Sequence, residues 1–399
     1  MFSDLVSMLI LLVPAFIWTR LITTSSRGLI VLSNTLLLTV TLVSIPVFTI
    51  CLLGRQFIDA TWVTGVAVSI AGLGIFTAIF QGKLSLLRTA FSTLDWPRWD
   101  RIALLIAGLT AVFYLVNYDR EHFQYGCING VVMQALTSEA ANAFDPHGDK
   151  DENAVESEDW GAPVAATSSQ MNLLDVHGTG QRLGTTAIIS PVVALFDVFG
   201  FRLIYALLPC ICLLFGYRLI TAITGDNLAA CGAAAIAVLN PYVSKIVILD
   251  ENVMAFSFAT AALALLIEQS QTSKRPDNVI LAGIAFGAAL GIRHIDLPFI
   301  FTALVLIGLK PPSISRFLIA AVIAAAPCAL HHHFTYGSVF QHEHFVDEVF
   351  QSWPHAIFGY EFQYTGLLNW PFFEQYIRTP YNPFPTVFYY PFNMLTHLG

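Results

Sequence analysis

The chain has 399 residues, 56% of them hydrophobic and 12% charged, with a formal net charge of −8 and a mean hydropathy of +0.66. A soluble domain carries about a quarter charged residues, so this composition excludes an ordinary soluble enzyme. The negative charge sits mostly in one loop and says little about nucleic acid; no nucleic-acid partner is expected.

Several stretches approach or exceed the roughly 20 apolar residues that cross a bilayer. In chain order the expected spans are about 4–22, 28–53, 62–81, 102–118, 203–221, 227–248, 251–269, 278–292, 296–309 and 316–333. The first stretch, "MFSDLVSMLILLVPAFIW", lacks a basic leader region and runs on to span length, so a retained helix is expected there. Orientation follows the Lys and Arg residues of short connections. Arg20 and Arg27, then Lys83, Arg88, Arg98 and Arg101, then Lys274 and Arg275, then Lys310 and Arg316 mark four inner connections.

That parity settles two segments. Residues 184–200, "LGTTAIISPVVALFDVFG" with its leading Leu183 and Gly184 boundary, are expected to form a re-entrant or interfacial segment broken by Pro191. Residues 278–309 are expected to form two short helices joined at "RHIDLP". Each has about 15 residues and a length of about 22 Å. Arg293, His294 and Asp296 would then lie near the outer headgroups or in a cavity. The expected fold is an all-α polytopic membrane protein of about ten transmembrane helices. A long external loop, 119–202, carries short interfacial helices. The parts are N-terminal transmembrane helices (1–101), a transmembrane core with that loop (102–333) and an external aromatic- and His-rich tail (334–399). Five of the six cysteines lie in or near apolar segments and no CxxC occurs, so no disulfide framework is expected.

In this arrangement all eleven histidines fall at or beyond outer helix ends. The stretch "YDREHFQYG" (118–126) places Asp119 and Glu121 where the fourth span ends and the long loop opens. Charged groups are costly in hydrocarbon, so they belong in water, at an interface or in a cavity. Two carboxylates this close suit a shared divalent cation, or a general base with a partner that orients it. A solvated helix end is the plainer reading. Adjacent histidines at 331–333 and at His342 and His344 are candidate metal ligands or interfacial residues. Asp119, Glu121, His342 and His344 are thus the metal candidates, and a divalent ion is the one cofactor left open. In "DPHGDKDENAVE" (145–156), Lys150 occupies the position where a calcium loop needs Gly, which favours a solvated acidic loop. The tail segment 369–392 is dense in aromatics and prolines and suits an interfacial belt or a sugar-stacking surface.

Several pieces in order resemble the GT-C superfamily of membrane glycosyltransferases, of the protein O-mannosyltransferase and lipid A aminoarabinose transferase type. They are the acidic pair at 119–121, "RLGTTAIISPVVALFDVFGFRLIYAL" (182–207), "ILDENVMAFSFATAALALL" (248–266), "GIRHIDLP" (291–298) and "HHHFTYGSVF" (331–340), together covering about 102–345. The resemblance implies transfer of a sugar from a polyprenyl-phosphate donor to a lipid, glycan or protein acceptor on the outer face. It makes Asp119 the base, with Glu121 orienting it or helping to hold a metal. Arg293, then Arg182 and Lys245, would grip the leaving phosphate, since a guanidinium binds phosphate bidentately. Asp250, Glu251 and His294 would contact sugar or acceptor. The expected site of action is a bacterial inner membrane, with the active face outward and membrane lipids as surroundings. A transporter or flippase-like protein for a lipid-linked substrate, or a non-catalytic envelope scaffold, is the alternative. The lack of an evident internal repeat and the scarcity of mid-span charges count against transport.

Overall fold

The computed structural model describes residues 2–23, 25–88, 94–116, 136, 183–239, 251–271, 277–292 and 311–336. Regular structure there is helical, with two isolated β-bridges and no strand among the described residues. The protein is an all-α membrane protein. Its described helices are α1 (Phe2–Ile22), α2 (Gly28–Thr41), α3 (Ser44–Gly54), α4 (Ala60–Phe80), α5 (Leu84–Arg88), α6 (Arg98–Val116), α7 (Leu183–Phe196), α8 (Val198–Thr224), α9 (Asn227–Leu239), α10 (Glu251–Gln271), α11 (Asp277–Ile292) and α12 (Pro311–Tyr336). Gly28–Gly54, Ala60–Phe80, Arg98–Val116, Phe199–Thr224 and Pro312–His331 are long and apolar enough to cross a membrane by length and composition.

Side-chain contacts fix the relative directions of several helices. Trp18 Nε1 on α1 donates to Ile70 O on α4 (3.0 Å), and Lys83, just past α4, reaches Leu21 O, so α1 and α4 run parallel. On α6 and α8 the order reverses: Asp100 lies near Tyr217, Ala107 O accepts from Cys210 Sγ, and Tyr114 meets Tyr205 edge to face. Along α11, Gly283 abuts Phe317 and Ala320, Gly287 abuts Ala321 and Ala324, and Gly291 abuts Cys328. Helices α11 and α12 are therefore parallel, and α11 ends at the opposite end of the bundle from where α12 begins. Two short antiparallel passes over 278–309 require this relation; residues 293–310 lie outside the described residues.

One end of the bundle is held by polar side chains. The connection 23–27 meets the segment before α6 through Gly28 N to Asp95 O and Asp95 N to Ser26 O, both 2.8 Å. Arg27 donates to both oxygens of Asp100, at 2.6 Å and 2.5 Å. Asp100 is fully buried, and its hydrogen bond holds the Arg27 guanidinium above its ordinary pKa. Deeper in, Arg218 on α8 grips Glu268 on α10 through two bonds of 2.8 Å and 2.6 Å. It also donates to Ser33 Oγ and Asn34 Oδ1 on α2, each at 2.7 Å, and lies over the Phe215 ring. A buried charge survives only when paired and hydrogen-bonded, and here one guanidinium ties together three helices.

The segment 184–200 departs from the expectation at one point. Pro191 does not break it: α7 continues through Pro191, and the chain turns at Asp197 (φ 51°) instead. Pro191 lacks the amide that would serve Ala187 O, and Ser44 Oγ donates to the neighbouring Ile188 O (3.4 Å). Substitute donors of this kind let membrane helices keep a proline. Gly184 to Val193 are buried among their neighbours. At 14 residues, α7 is about 21 Å long and falls short of a bilayer core of about 30 Å. The expected span 28–53 is one candidate span, Gly28–Gly54, with a turn at Leu42 and Val43 between α2 and α3. Of the expected span 227–248, the described part is α9.

Candidate active site

The helix ends that flank the expected site share one end of the bundle. Arg218 and Glu268 meet near the ends of α8 and α10, and Asn278 at the start of α11 donates to Glu268, so α10 starts where α6 and α11 finish; the Gly184–Gly291 contact puts the start of α7 there too. The nearest approach is between glycines. A Cβ on Gly184, at the start of α7, would fall 2.2 Å from Gly291 C and O, at the end of α11. Cys328 of α12 closes the other side of Gly291, 3.1 Å from where its Cβ would be. Two backbones meet here because neither carries a side chain. Leu136, within the long loop, forms an isolated bridge with Ile58 in the α3–α4 connection. A residue of the loop thus lies at the end where α4 begins, which by the parallel run of α1 and α4 is opposite the Arg27–Asp100 end.

Glu251 is the first residue of α10. Asp119, Glu121, Arg182, Lys245, Asp250, Arg293, His294, His342 and His344 lie outside the described residues. Their places in the chain are nonetheless constrained by what adjoins them. Arg182 precedes the first residue of α7 and Arg293 follows the last residue of α11. The Gly184–Gly291 contact therefore brings to one place the two helix ends that carry the expected phosphate-binding arginines. Asp119 follows α6 by three residues. Among the described residues no group of three or more His, Cys, Asp or Glu could hold a metal ion.

The start of α7 has a chemistry that the sequence reading passed over. The first amides of any helix lack intrahelical acceptors and sit at the positive end of its dipole. Thr185 in that turn is 2% exposed, and its Oγ1 has no hydrogen-bond partner among the described residues. Such a turn is suited to an anion. The signal in the sequence was "GTT" (184–186), which begins two positions after Arg182. Also passed over were the partly buried pairs of Arg218 with Glu268 and Arg27 with Asp100; Arg218 inside the apolar run of α8 was the trace of the first.

Residues 151–311 match the family model of dolichyl-phosphate-mannose-protein mannosyltransferase. The chain carries a mannosyltransferase-family domain of GT-C type. The enzyme class is accordingly a membrane glycosyltransferase, in a family of hexosyl transferases. The matched segment takes in α7 to α11 and the candidate residues Arg182, Lys245, Asp250, Glu251, Arg293 and His294. Asp119 and Glu121 precede it, and His342 and His344 follow it. No curated protein and no solved structure matches the chain.

Proposed function

We propose that the chain transfers a mannosyl group from a polyprenyl-phosphate donor to an acceptor hydroxyl, on the membrane face opposite its arginine-rich end. The family match over 151–311 carries this reading; the family's name supplies both the mannosyl lipid and a protein acceptor. The meeting of the α7 start and the α11 end supports a donor-phosphate site between Arg182 and Arg293. Arg20, Arg27, Lys83, Arg88, Arg98 and Arg101 sit at or next to helix ends of the other side, which supports a cytoplasmic assignment for that side. The working face is then periplasmic in a bacterial inner membrane, or lumenal.

In the proposed step the acceptor oxygen attacks the anomeric carbon of the donor. Asp119 takes the hydroxyl proton, with Glu121 orienting it. The bond from the anomeric carbon to the phosphate oxygen breaks, and polyprenyl phosphate leaves with its charge held by Arg293, Arg182 and Lys245. Asp250, Glu251 and His294 contact the sugar or the acceptor. Asp119, Glu121, His342 and His344 are the residues that would hold a divalent metal ion.

The test is thermal unfolding of the detergent-purified protein with polyprenyl phosphate, with polyprenyl-phosphate mannose and with other polyprenyl-phosphate sugars. A ligand that binds the folded state raises the midpoint by mass action. The mannosyl lipid should stabilise the protein, and the shift should vanish in Arg293→Ala. Asp119→Asn should retain the shift and lose transfer. No shift with any of these lipids would favour the transporter or scaffold reading.

A further inference from the structure

The start of α6 carries a second, independent lipid-facing arrangement, at the opposite end of the bundle from the candidate active site. The sequence there is Asp95-Trp96-Pro97-Arg98-Trp99-Asp100-Arg101. The backbone bridge between Arg27 and Asp95 anchors it, and the Trp96 ring packs so closely over Gly28 that a Cβ there would fall 2.3 Å from it. Trp96 is therefore fixed, and its carbonyl accepts from Arg101 Nε at 2.8 Å. Trp96, Arg101 and Leu104 line a shallow cleft of about 420 Å³. The Arg98 guanidinium lies 5.8 Å from the Trp99 ring centroid, within cation–π range.

Charge is unbalanced at this spot. Asp100 faces inward and is taken up by Arg27. Arg98 and Arg101 are exposed and have no ion pair among the described residues. Asp95 is the exposed carboxylate of the segment. Two cations against one anion leave a net +1 beside a cleft whose walls are an indole and a leucine. Beyond it, along the same face of α6, Leu105, Leu109, Val112 and Val116 are all exposed, between 57% and 75%. With 19 residues, α6 is about 28 Å long. That matches the bilayer core, so the arginines stand at one boundary and the apolar row runs through the hydrocarbon.

We infer that this cleft binds the headgroup of one anionic glycerophospholipid, its phosphate on Arg101 and Arg98 and its acyl chains along Leu105, Leu109 and Val112. Charge complementarity selects the headgroup, and the continuous apolar row selects a lipid over a free phosphate ester. The Arg101 guanidinium is already oriented by Trp96, so its outer nitrogens face the ligand without further ordering.

Native mass spectrometry of the full chain in detergent reads this directly, with palmitoyl-oleoyl phosphatidylglycerol, the matching phosphatidylcholine, and glycerol phosphate as probes. Phosphatidylglycerol should bind at least about fivefold more tightly than phosphatidylcholine, and glycerol phosphate should not displace it. Arg101→Gln should remove the preference, Arg101→Lys should keep most of it, and Asp95→Asn should strengthen it. Arg316→Gln, which removes an exposed cation at the start of α12, should change nothing. Unfolding midpoints confirm that each variant is folded. Equal binding of the two lipids, an intact preference in Arg101→Gln, displacement by glycerol phosphate, or an equal loss in Arg316→Gln would overturn the assignment.

Discussion

Gly184→Ala is the perturbation that bears most directly on how the fold serves the site. The new Cβ would sit 2.2 Å from Gly291 C and O, whereas ordinary contact begins near 3.4 Å. The α7 start and the α11 end must therefore separate by about 1.2 Å. Both contacted atoms are backbone, so no side chain can rotate away. Overpacking of this kind costs about 1–3 kcal/mol, partly offset by about 1 kcal/mol of improved helix propensity. The net loss of stability should be about 0–2 kcal/mol. Catalysis should suffer more, because a misplacement of about 1 Å at a reacting centre costs about 100-fold. Gly283→Ala is the control: its Cβ meets Phe317 O at 2.5 Å, a similar clash two helical turns from Gly291. Gly232→Ala, with nothing within 4 Å, should be neutral or slightly stabilising. The assay pairs the unfolding midpoint in detergent with mannose incorporation from labelled polyprenyl-phosphate mannose, normalised to folded protein. The reasoning predicts that Gly184→Ala loses much more activity than Gly283→Ala at comparable stability. Equal activity in the two variants would refute it.

Four further outcomes follow from the same contacts. Arg218→Met should destabilise the protein by up to about 3 kcal/mol by removing the guanidinium from half-buried Glu268, and adding Glu268→Met should recover much of that loss; unfolding midpoints of the single and double variants decide it. Asp59 caps α4 by accepting from Trp62 N at 2.8 Å, so Asp59→Ala should cost about 1 kcal/mol, again read from the midpoint. Thr185→Val removes a buried hydroxyl without a partner among the described residues; stability should hold or rise by about 1–3 kcal/mol, while the midpoint shift induced by donor lipid should shrink. Cys51, Cys210, Cys231 and Cys328 are free and buried, so maleimide should label them only after unfolding, as mass spectrometry of labelled peptides would show.

How much of this architecture could be seen in the residues depends on the kind of signal each part leaves. Span-length apolar runs mark themselves, because nothing else tolerates that composition, and nine of the ten expected spans overlap described helices, 227–248 only through α9. The return pass between α11 and α12 was inferred from Lys274, Arg275, Lys310 and Arg316, and the parallel glycine contacts agree with it. Pro191 misled, because a proline's effect depends on whether a neighbour such as Ser44 can serve the weakened turn, and that neighbour is 147 positions away in the chain. The pair of Arg218 with Glu268 was missed for the same reason: each residue alone looks like a helix-end charge, and only their meeting across α8 and α10 makes a buried ion pair. The candidate catalytic residues were chosen for their place next to helix ends. The described helices bring four of those ends to one side, and the functions of the residues themselves remain proposals.

The two ends of the bundle are held together by different means, and the difference bears on where chemistry can occur. At the Arg27 end, two of the cations are taken up by carboxylates inside the bundle: buried Asp100 takes Arg27 and half-buried Glu268 takes Arg218. A guanidinium so engaged has little to offer a phosphate, and a ligand would first have to break a short ionic pair. At the other end the helices are joined by backbone-to-backbone contact at Gly184 and Gly291, which consumes no charge. Holding helix ends together with glycines uses no cation in the contact itself. A site that must bind a departing phosphate and then release it gains from cations that the fold does not itself require. On this argument, a carboxylate at the glycine end should inactivate the enzyme: Thr186→Asp, at a buried position in the first turn of α7, would place an anion beside the proposed phosphate position. The expected result is loss of the midpoint shift with donor lipid in a protein that still purifies as a folded species; an undiminished shift would remove the α7 start from the donor site.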